Sequence, residues 1–434
     1  MEVERRECPV QLMFCINHVQ WEECISKAKS FEISRHVVME AWRRVKSNGG
    51  SAGVDGQDLR SFEGNLKDNL YKIWNRMSSG CYFPPPVLLC DIPKGDGKIR
   101  TLGIPTVSDR VAQMVAKNYL EPCVEPELHP DSYGYRPGKS AHEAIGVTRE
   151  RCWRYNWVID LDIKGFFDTI DHKLMMRAVQ KHTQEKWLLL YIERWLKAPA
   201  RDKDGNVVRR GQGTPQGGVI SPLLANIFLH HSYDVWMEKE FSSLSFERYA
   251  DDIVVHCCTE KQARYTLQCI RQRLEKCGLR LHPDKTRIVY CKDVNRPGDN
   301  EHTKFDFLGY EFSPRRCQNR NGQFFVGFTP AVSPKAKRSM SHAIRQWKLS
   351  SKTPATLQEI SEMINPVVRG WMNYYGAYCR SELYDILRQV ELAIARWATR
   401  KFKKLHRRVV AADRWLRGVS RREPTLFAHW AWCR

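Results

Sequence analysis

The chain has 434 residues, 42% hydrophobic and 27% charged, which suits two or three folded domains and excludes a peptide hormone or a long disordered chain. Lysine and arginine outnumber aspartate and glutamate by 70 to 49, and the formal net charge of +21 makes nucleic acid the first partner to expect. No apolar run reaches the length of a membrane span and no apolar signal core follows the first residues, so we expect a cytoplasmic protein.

The first 80 residues are predicted to form a helical N-terminal extension. Ile33, Val37, Val38 and Ala41 recur at three- and four-residue spacing before a helix stop at Asn48-Gly49-Gly50. From residue 81 to 314, strand-like runs punctuated by glycine and proline alternate with helical ones. This mixture of strand-like and helical runs predicts an α+β fold for this part of the chain.

A short basic segment opens that body. Residues 92–100 place Lys94, Lys98 and Arg100 on a hairpin turned by glycines, and such cations could neutralise a triphosphate. The alternative is a solvated surface hairpin. Residues 132–140 contain Gly-Lys-Ser, but a phosphate-binding P-loop would need glycine at position 133, which is tyrosine, so that interpretation is rejected.

Three acidic residues follow in strand contexts. Residues 157–163 alternate, so Asp160 and Asp162 share one face of a strand while Ile159, Leu161 and Ile163 face a core. The pair at 251–252 lies between two strand-like halves, as at a hairpin tip, with a surface turn as the alternative. Clustered carboxylates repel one another unless cations lie between them, which favours a site for two Mg²⁺ ions, with Mn²⁺ as a substitute.

Residues 211–218 form a turn in which five of eight positions are glycine or proline. Such a backbone can approach a base pair closely, although a plain tight turn is the alternative. The chain has 15 cysteines but no Cys-x-x-Cys pair, so we expect free thiols and neither a zinc site nor disulfides.

Beyond Pro314 the pattern reads as helical and basic, with a loop at 350–354, and residues 335–434 contain 21 basic and 7 acidic residues. The segment Ser381–Trp397 carries an apolar helical stripe, formed by Leu383, Ile386, Leu387, Val390, Ile394 and Trp397. Six cations follow it within nine residues: Arg400, Lys401, Lys403, Lys404, Arg407 and Arg408. We expect them to bind nucleic acid, with a solvated charge run as the alternative.

The ordered strings VIDLDIKGFFDTIDH, GTPQGGVISPLLANI, YADD, GLRLHPDKT and FDFLGYEF resemble the motifs of reverse transcriptases encoded by group II introns. Residues 365–375 resemble the maturase-specific region of the same proteins, so the resemblance covers more than four fifths of the chain. It implies a right-hand polymerase: fingers and palm at 81–314, a helical maturase or thumb domain at 315–400, and a basic DNA-binding tail at 401–434. A zinc-ligated nuclease domain has no counterpart here, as in the compact bacterial group.

The resemblance also implies roles for individual residues. The metal-binding set is Asp162, Ile163, Asp251 and Asp252, while Asp160 is expected to be structural. Lys285 would act as a general acid near the departing pyrophosphate, with a surface lysine as the alternative, and His282 replaces the usual small polar residue before Pro283.

The implied nucleotide contacts lie in three segments: Lys94 and Arg100, Phe167, and Pro215, Gln216 and Gly217. Phe167 would exclude a ribose 2′-OH, although Phe166 could be miscounted for it and both could be core. The implied template and primer contacts are Arg136, Tyr249 and Gly309.

The implied partners are intron RNA, an RNA template with a DNA or RNA primer, dNTPs and target DNA; the oligomeric state stays open. Two alternatives remain beside a reverse transcriptase and maturase. One is a related enzyme with a host role in DNA repair or defence, and the other is an RNA-binding splicing factor with a vestigial polymerase.

Overall fold

The computed structural model describes residues 29–93, 99–298, 300–319 and 321–433. Its N-terminal two thirds contain eleven described α-helices: α1 Arg35–Asn48, α2 Leu59–Gly64, α3 Leu66–Ser78, α4 Val107–Val124, α5 Ala141–Arg154, α6 Phe166–Thr169, α7 His172–Val179, α8 Lys186–Leu196, α9 Ser221–Leu229, α10 Val235–Glu240 and α11 Glu260–Lys276. A π-helical turn, His230–Asp234, joins α9 to α10.

The described strands form three sheets. Their bounds are β1 Val87–Pro93, β2 Ile99–Ile104, β3 Trp157–Asp162, β4 Ala200–Arg201, β5 Val207–Val208, β6 Ser245–Tyr249, β7 Asp252–Cys257, β8 Arg287–Tyr290, β9 Phe305–Phe307, β10 Tyr310–Gln318 and β11 Phe324–Val332. The sheet orders are β2-β1-β4-β5, β6-β7-β3-β8 and β11-β10-β9. The described strand pairs are antiparallel apart from β1–β4, and the sheets pack against helices, which confirms the predicted α+β class.

The antiparallel sheet β6-β7-β3-β8 is covered on both faces. Ile159 and Leu161 of β3 pack on one side, in a core that also contains Trp42 and Phe62 of the N-terminal helices. Val158 packs on the opposite side in a second cluster. The predicted alternation of β3 is confirmed, and the helices within residues 29–80 share the core of the α+β body.

The C-terminal part consists of five α-helices: α12 Pro334–Gln346, α13 Leu357–Tyr375, α14 Tyr384–Lys401, α15 Val409–Arg422 and α16 Trp430–Cys433. All six residues of the predicted apolar stripe between 381 and 397 are buried in this domain, which confirms that prediction. None of the described helices combines the length and the apolar character needed to cross a membrane.

Two predicted boundaries are corrected by the structure. The chain beyond Pro314 continues in β10 and β11 as far as Val332, so the helical domain begins at Pro334. The segment 401–434 is not separate from that domain, because Leu416, Phe427 and Trp430 are buried in the same cluster as α14.

Candidate active site

The acidic turn, residues 249–252, joins β6 to β7 at one end of the central sheet. Tyr249 pairs with Asp252 across the hairpin, and Ala250 adopts a left-handed conformation with φ of 56°. In the neighbouring strand β3, Asp162 lies directly opposite Asp252 in the register. The fold therefore brings Asp162, Asp251 and Asp252, which lie far apart in the sequence, to the same sheet end.

The environment of these carboxylates opposes their negative charge. Burial raises the pKa of Asp252 to about 7, and the charges of Asp251 and Asp162 add to the effect. Burial also raises the pKa of Asp251, again with a contribution from Asp162. Asp160 lies deeper, and burial followed by the charge of Asp252 raises its pKa well above the usual range. This setting agrees with a structural role for Asp160.

The carboxylates supply only oxygen donors, which suit hard cations such as Mg²⁺ or Mn²⁺. Bound cations would offset the repulsion that raises the pKa of Asp252. The residue types and their burial therefore fit a divalent-metal site. Within the described ranges, however, no three His, Cys, Asp or Glu side chains are already arranged as a formed metal site.

Lys285 reaches the acidic cluster from the loop before β8. Its Nζ lies 2.8 Å from Asp162 Oδ1, which places an ammonium group beside the carboxylates. The His282 backbone N–H donates to the Asp162 carbonyl at 2.7 Å, and its Nδ1 accepts from the Asp284 N–H at 3.3 Å. The ring thus makes the local turn bond that a small polar side chain would otherwise make. Ile163 is buried and bridges to Leu281.

The glycine-rich turn at 211–218 packs against the basic hairpin of β1 and β2. Arg100 Nε donates to Gln216 Oε1 at 2.9 Å, and the Gly103 N–H donates to the Gln216 carbonyl at 2.7 Å. Arg100 also lowers the pKa of Asp251, although burial has the larger, opposite effect, so its positive charge acts at the acidic turn. Lys94 and Lys98 lie outside the described residues.

The same turn also contacts the aromatic pair at 166–167. Phe166 is buried in the core, whereas Phe167 is only half-buried. The Phe167 carbonyl accepts from the Thr214 N–H at 2.7 Å, so its backbone is fixed against the turn. This difference in exposure favours Phe167 over Phe166 as the residue that meets a nucleotide.

Arg136 has a setting that differs from its predicted role at the template. Its side chain is 6% exposed, and its guanidinium forms an ion pair with Glu125 at 2.8 Å. Further donors reach the His129 and Ser132 carbonyls, each at 2.7 Å. These internal bonds hold the side chain within the protein, and a contact of Arg136 with the template stays a prediction. The neighbouring Ser140 caps α5, in agreement with the rejection of a P-loop.

The two other predicted template and primer residues lie close to the domain junction. Tyr249 is half-buried at the start of the acidic turn. Gly309 has φ of 80° in the turn between β9 and β10, and a Cβ there would meet the Tyr375 hydroxyl at 3.0 Å. The Tyr374 hydroxyl donates to the Leu308 carbonyl at 2.9 Å, which joins this hairpin to α13.

The six predicted cations at the end of α14 and just beyond it have three different settings. The Lys401 ammonium donates to the carbonyls of Thr353, Pro354 and Ala355 at 2.7–3.3 Å, so it holds this loop in place, while its nucleic-acid role stays a prediction. Arg400 is exposed and reaches the Ser350 carbonyl at 3.4 Å. The other four are exposed and are called the tail cluster below: Lys403, Lys404, Arg407 and Arg408.

Sequence reasoning missed a buried polar group beneath the acidic turn. Arg248 is fully buried and bonds to Asp234, Asn226 and the Ala250 carbonyl. The available signal was an adjacent charged pair, Glu247 and Arg248, within an otherwise apolar strand pattern.

Comparison with known proteins adds independent information. A family model described as reverse transcriptase (RNA-dependent DNA polymerase) matches residues 92–312, and one described as group II intron, maturase-specific domain matches residues 337–415. Protein YkfC of Escherichia coli (strain K12) is 30% identical over 353 residues, which cover 71% of this chain and 88% of that protein.

Group II intron-encoded protein LtrA of Lactococcus lactis subsp. cremoris is 30% identical over 230 residues, which cover 52% of this chain and 38% of LtrA. The chain thus spans most of YkfC but well under half of LtrA. A solved structure of telomerase from Candida albicans in complex with a fragment of telomeric RNA superposes with a TM-score of 0.45 at 11% identity, covering 83% of this chain and 66% of that chain.

Proposed function

Because the chain belongs to the reverse transcriptase (RNA-dependent DNA polymerase) family and carries a group II intron maturase-specific domain, we propose that it extends a primer 3′-OH on an RNA template with dNTPs. The observation that carries this proposal is the meeting of Asp162, Asp251 and Asp252 at one sheet end. Arg100 acts on the same site from the neighbouring hairpin.

Asp162, Asp251 and Asp252 would hold the divalent ions, with Ile163 beside them, and Mg²⁺ is the proposed species. When bound, two such ions lower the pKa of an attacking hydroxyl and stabilise the charge on a leaving phosphate oxygen. The protein's own part is to hold these carboxylates in a fixed arrangement at the sheet end.

The remaining residues bind the nucleotide and move a proton. Arg100 neutralises charge on the triphosphate, and the same role is proposed for Lys94, which lies outside the described residues. The Lys285 ammonium, 2.8 Å from Asp162, is placed to donate a proton to the departing pyrophosphate. Phe167 closes the space that a ribose 2′-OH would need, and the 215–217 turn packs on the incoming nucleotide.

The C-terminal domain supplies the proposed maturase function. Its tail cluster presents four exposed cations, and the residues from 335 onward carry most of the net charge. We assign to this surface the binding of intron RNA and of target DNA, in addition to the primer and RNA template that the acidic turn would act on.

The proposal is tested by primer extension with dNTPs on an RNA template, after the protein has been treated with EDTA. Adding Mg²⁺ or Mn²⁺ should restore template-length cDNA with the wild type but not with Asp162→Asn. The matched control is Asp204→Asn, which changes an exposed aspartate in a surface turn and should extend normally. Failure of the wild type to extend any primer while it binds structured RNA tightly would instead support the splicing-factor alternative.

A further inference from the structure

Arg248 lies at the end of β6, three residues before Asp251, and its side chain is fully buried. Its Nε and Nη2 donate to the two carboxylate oxygens of Asp234 at 2.8 and 2.6 Å. Its Nη1 donates to Asn226 Oδ1 at 3.0 Å and to the Ala250 carbonyl at 3.2 Å. The planar guanidinium thus fixes three partners at once, in a fork of separate nitrogens that the single nitrogen of a lysine does not reproduce.

The Ala250 carbonyl belongs to the peptide that leads into Asp251. Ala250 has φ of 56°, a left-handed conformation that costs a residue with a Cβ about 1–3 kcal/mol and persists only when its surroundings enforce it. The bond from Arg248 holds this carbonyl in place from below. The direction in which Asp251 leaves the turn therefore depends on a contact that Asp251 itself does not make.

Arg248 and its partner Asn226 also contact the loop that follows Asp131. The Asn226 side-chain amide donates to the Gly134 carbonyl at 2.7 Å, and the Tyr133 N–H donates to the Arg248 carbonyl at 2.8 Å. This loop touches the acidic turn directly, since a Cβ on Gly134 would lie 2.5 Å from the Ala250 nitrogen. Arg248 and Asn226 together connect the loop and the turn into one unit.

The energetics favour a positional role for this network. Burial raises the pKa of Asp234, but the charge and hydrogen bonds of Arg248, together with those of His230, outweigh it, so the pKa of Asp234 stays below its usual value and the carboxylate stays ionised. Removing an ion pair from water costs about as much as its attraction returns, and apolar residues often stabilise a core equally well. Stability alone thus gives no reason for this pair, whereas fixing the Ala250 and Gly134 carbonyls does.

We propose that Arg248 and Asn226 are positioning residues for the polymerase reaction. They lock the backbone of the acidic turn to the 132–135 loop, and so fix the Asp251 carboxylate relative to the nucleotide site. The proposal rests on the proposed function in assigning catalysis to Asp251. The hydrogen bonds that join the turn to the loop, which we call the lock, are a property of the fold.

A second buried network offers a matched control. Glu247, next to Arg248, is fully buried and is bonded by His256 Nε2 at 2.7 Å and by the Thr148 hydroxyl at 3.1 Å. Arg151 completes it by pairing with the same carboxylate. Among the described residues this network joins the sheet to α5 and, through the Arg151–Asp131 ion pair at 2.7 Å, to the residue before the 132–135 loop. Its side chains form no hydrogen bond to residues 249–252, so His256→Gln perturbs a comparable buried site while the Arg248 bond to the Ala250 carbonyl is kept.

The test compares Arg248→Lys, Asn226→Ala and His256→Gln. Arg248→Lys keeps a cation beside Asp234, which protects the fold while the bond to Ala250 is lost. We expect it to lower kcat on the order of 10- to 100-fold, leave the Kd for primer–template unchanged, and raise the half-saturating Mg²⁺ concentration. We expect Asn226→Ala to accelerate amide hydrogen exchange in the peptide covering 132–136.

Two readouts do not depend on activity. Binding of Mn²⁺ to the full-length protein, followed by electron paramagnetic resonance, should weaken in Arg248→Lys and stay unchanged in His256→Gln. Amide hydrogen exchange in the peptide covering 249–252 should accelerate in Arg248→Lys but not in His256→Gln. A wild type that extends no primer would refute the proposed function. Mn²⁺ binding and amide exchange would still show whether Arg248 holds the acidic turn in place. Equal Mn²⁺ affinity and equal exchange in Arg248→Lys and His256→Gln would overturn the positioning role.

Discussion

Replacing Gly217 by alanine should separate the glycine-rich turn from β2. Gly217 has φ of 120°, and a Cβ there would lie 2.6 Å from the Gly103 carbonyl oxygen, about 0.8 Å short of ordinary contact. The backbone strain adds about 1–3 kcal/mol. Because both atoms in the clash belong to rigid backbone, the turn has to move, and Gln216 moves with it away from its 2.9 Å bond to Arg100.

A displacement of this size at a nucleotide site costs up to about 100-fold in rate. We expect Gly217→Ala to lower kcat/KM for dNTP by about 10- to 100-fold in single-nucleotide extension, while the Kd for primer–template is unchanged. Gly211→Ala is the control, since it lies in the same turn and a Cβ there meets nothing within 4 Å. Equal kcat/KM for the two variants would refute the assignment of this turn to the nucleotide pocket.

Lys285→Ala should slow single-turnover extension at least about 100-fold and reduce the solvent deuterium isotope effect, because the proposed proton donor is lost; an unchanged isotope effect would point to a purely structural lysine. Phe167→Ala should narrow the preference for dNTPs over rNTPs in primer extension. Phe166→Ala should instead lower the free energy of unfolding by about 3–5 kcal/mol in denaturant titrations. The reverse pattern would show that the two residues have exchanged roles. Changing the tail cluster to alanine should reduce the slope of log K against log salt for RNA by up to about three, while Lys401→Ala should lower Tm with little effect on that slope.

Local patterns predicted the elements that position the site. The alternation in 157–163 identified β3, and the acidic pair between two apolar halves identified the β6–β7 turn, because side chains on a strand alternate between its faces. The convergence of Asp162 with the turn required the pairing of β3 with β7. That pairing joins segments far apart in the chain, so the resemblance of the motifs, rather than any local pattern, indicated it.

The partners of long side chains were not predicted from the sequence, because the tertiary fold determines which groups come within their reach. Arg136 was placed at the template by its motif, yet Glu125 lies within its reach in the folded chain. Lys401 stands in a run of cations that look alike in the sequence, and only the path of the 353–355 loop distinguishes it. The arginines around 315 made the segment of β10 look like part of a basic helical region, so this strand was not predicted. The aromatic and β-branched residues of 324–332, which form β11, do favour a strand.

The acidic turn is proposed as the catalytic centre of an RNA-directed DNA polymerase. The decisive experiment is extension of a primer on an RNA template with dNTPs and Mg²⁺, by the wild type and by Asp251→Ala at matched RNA occupancy. We expect template-length cDNA from the wild type and none from the variant, with RNA affinity unchanged because the tail cluster lies elsewhere. Full-length cDNA from Asp251→Ala would show that the acidic turn is not the catalytic centre.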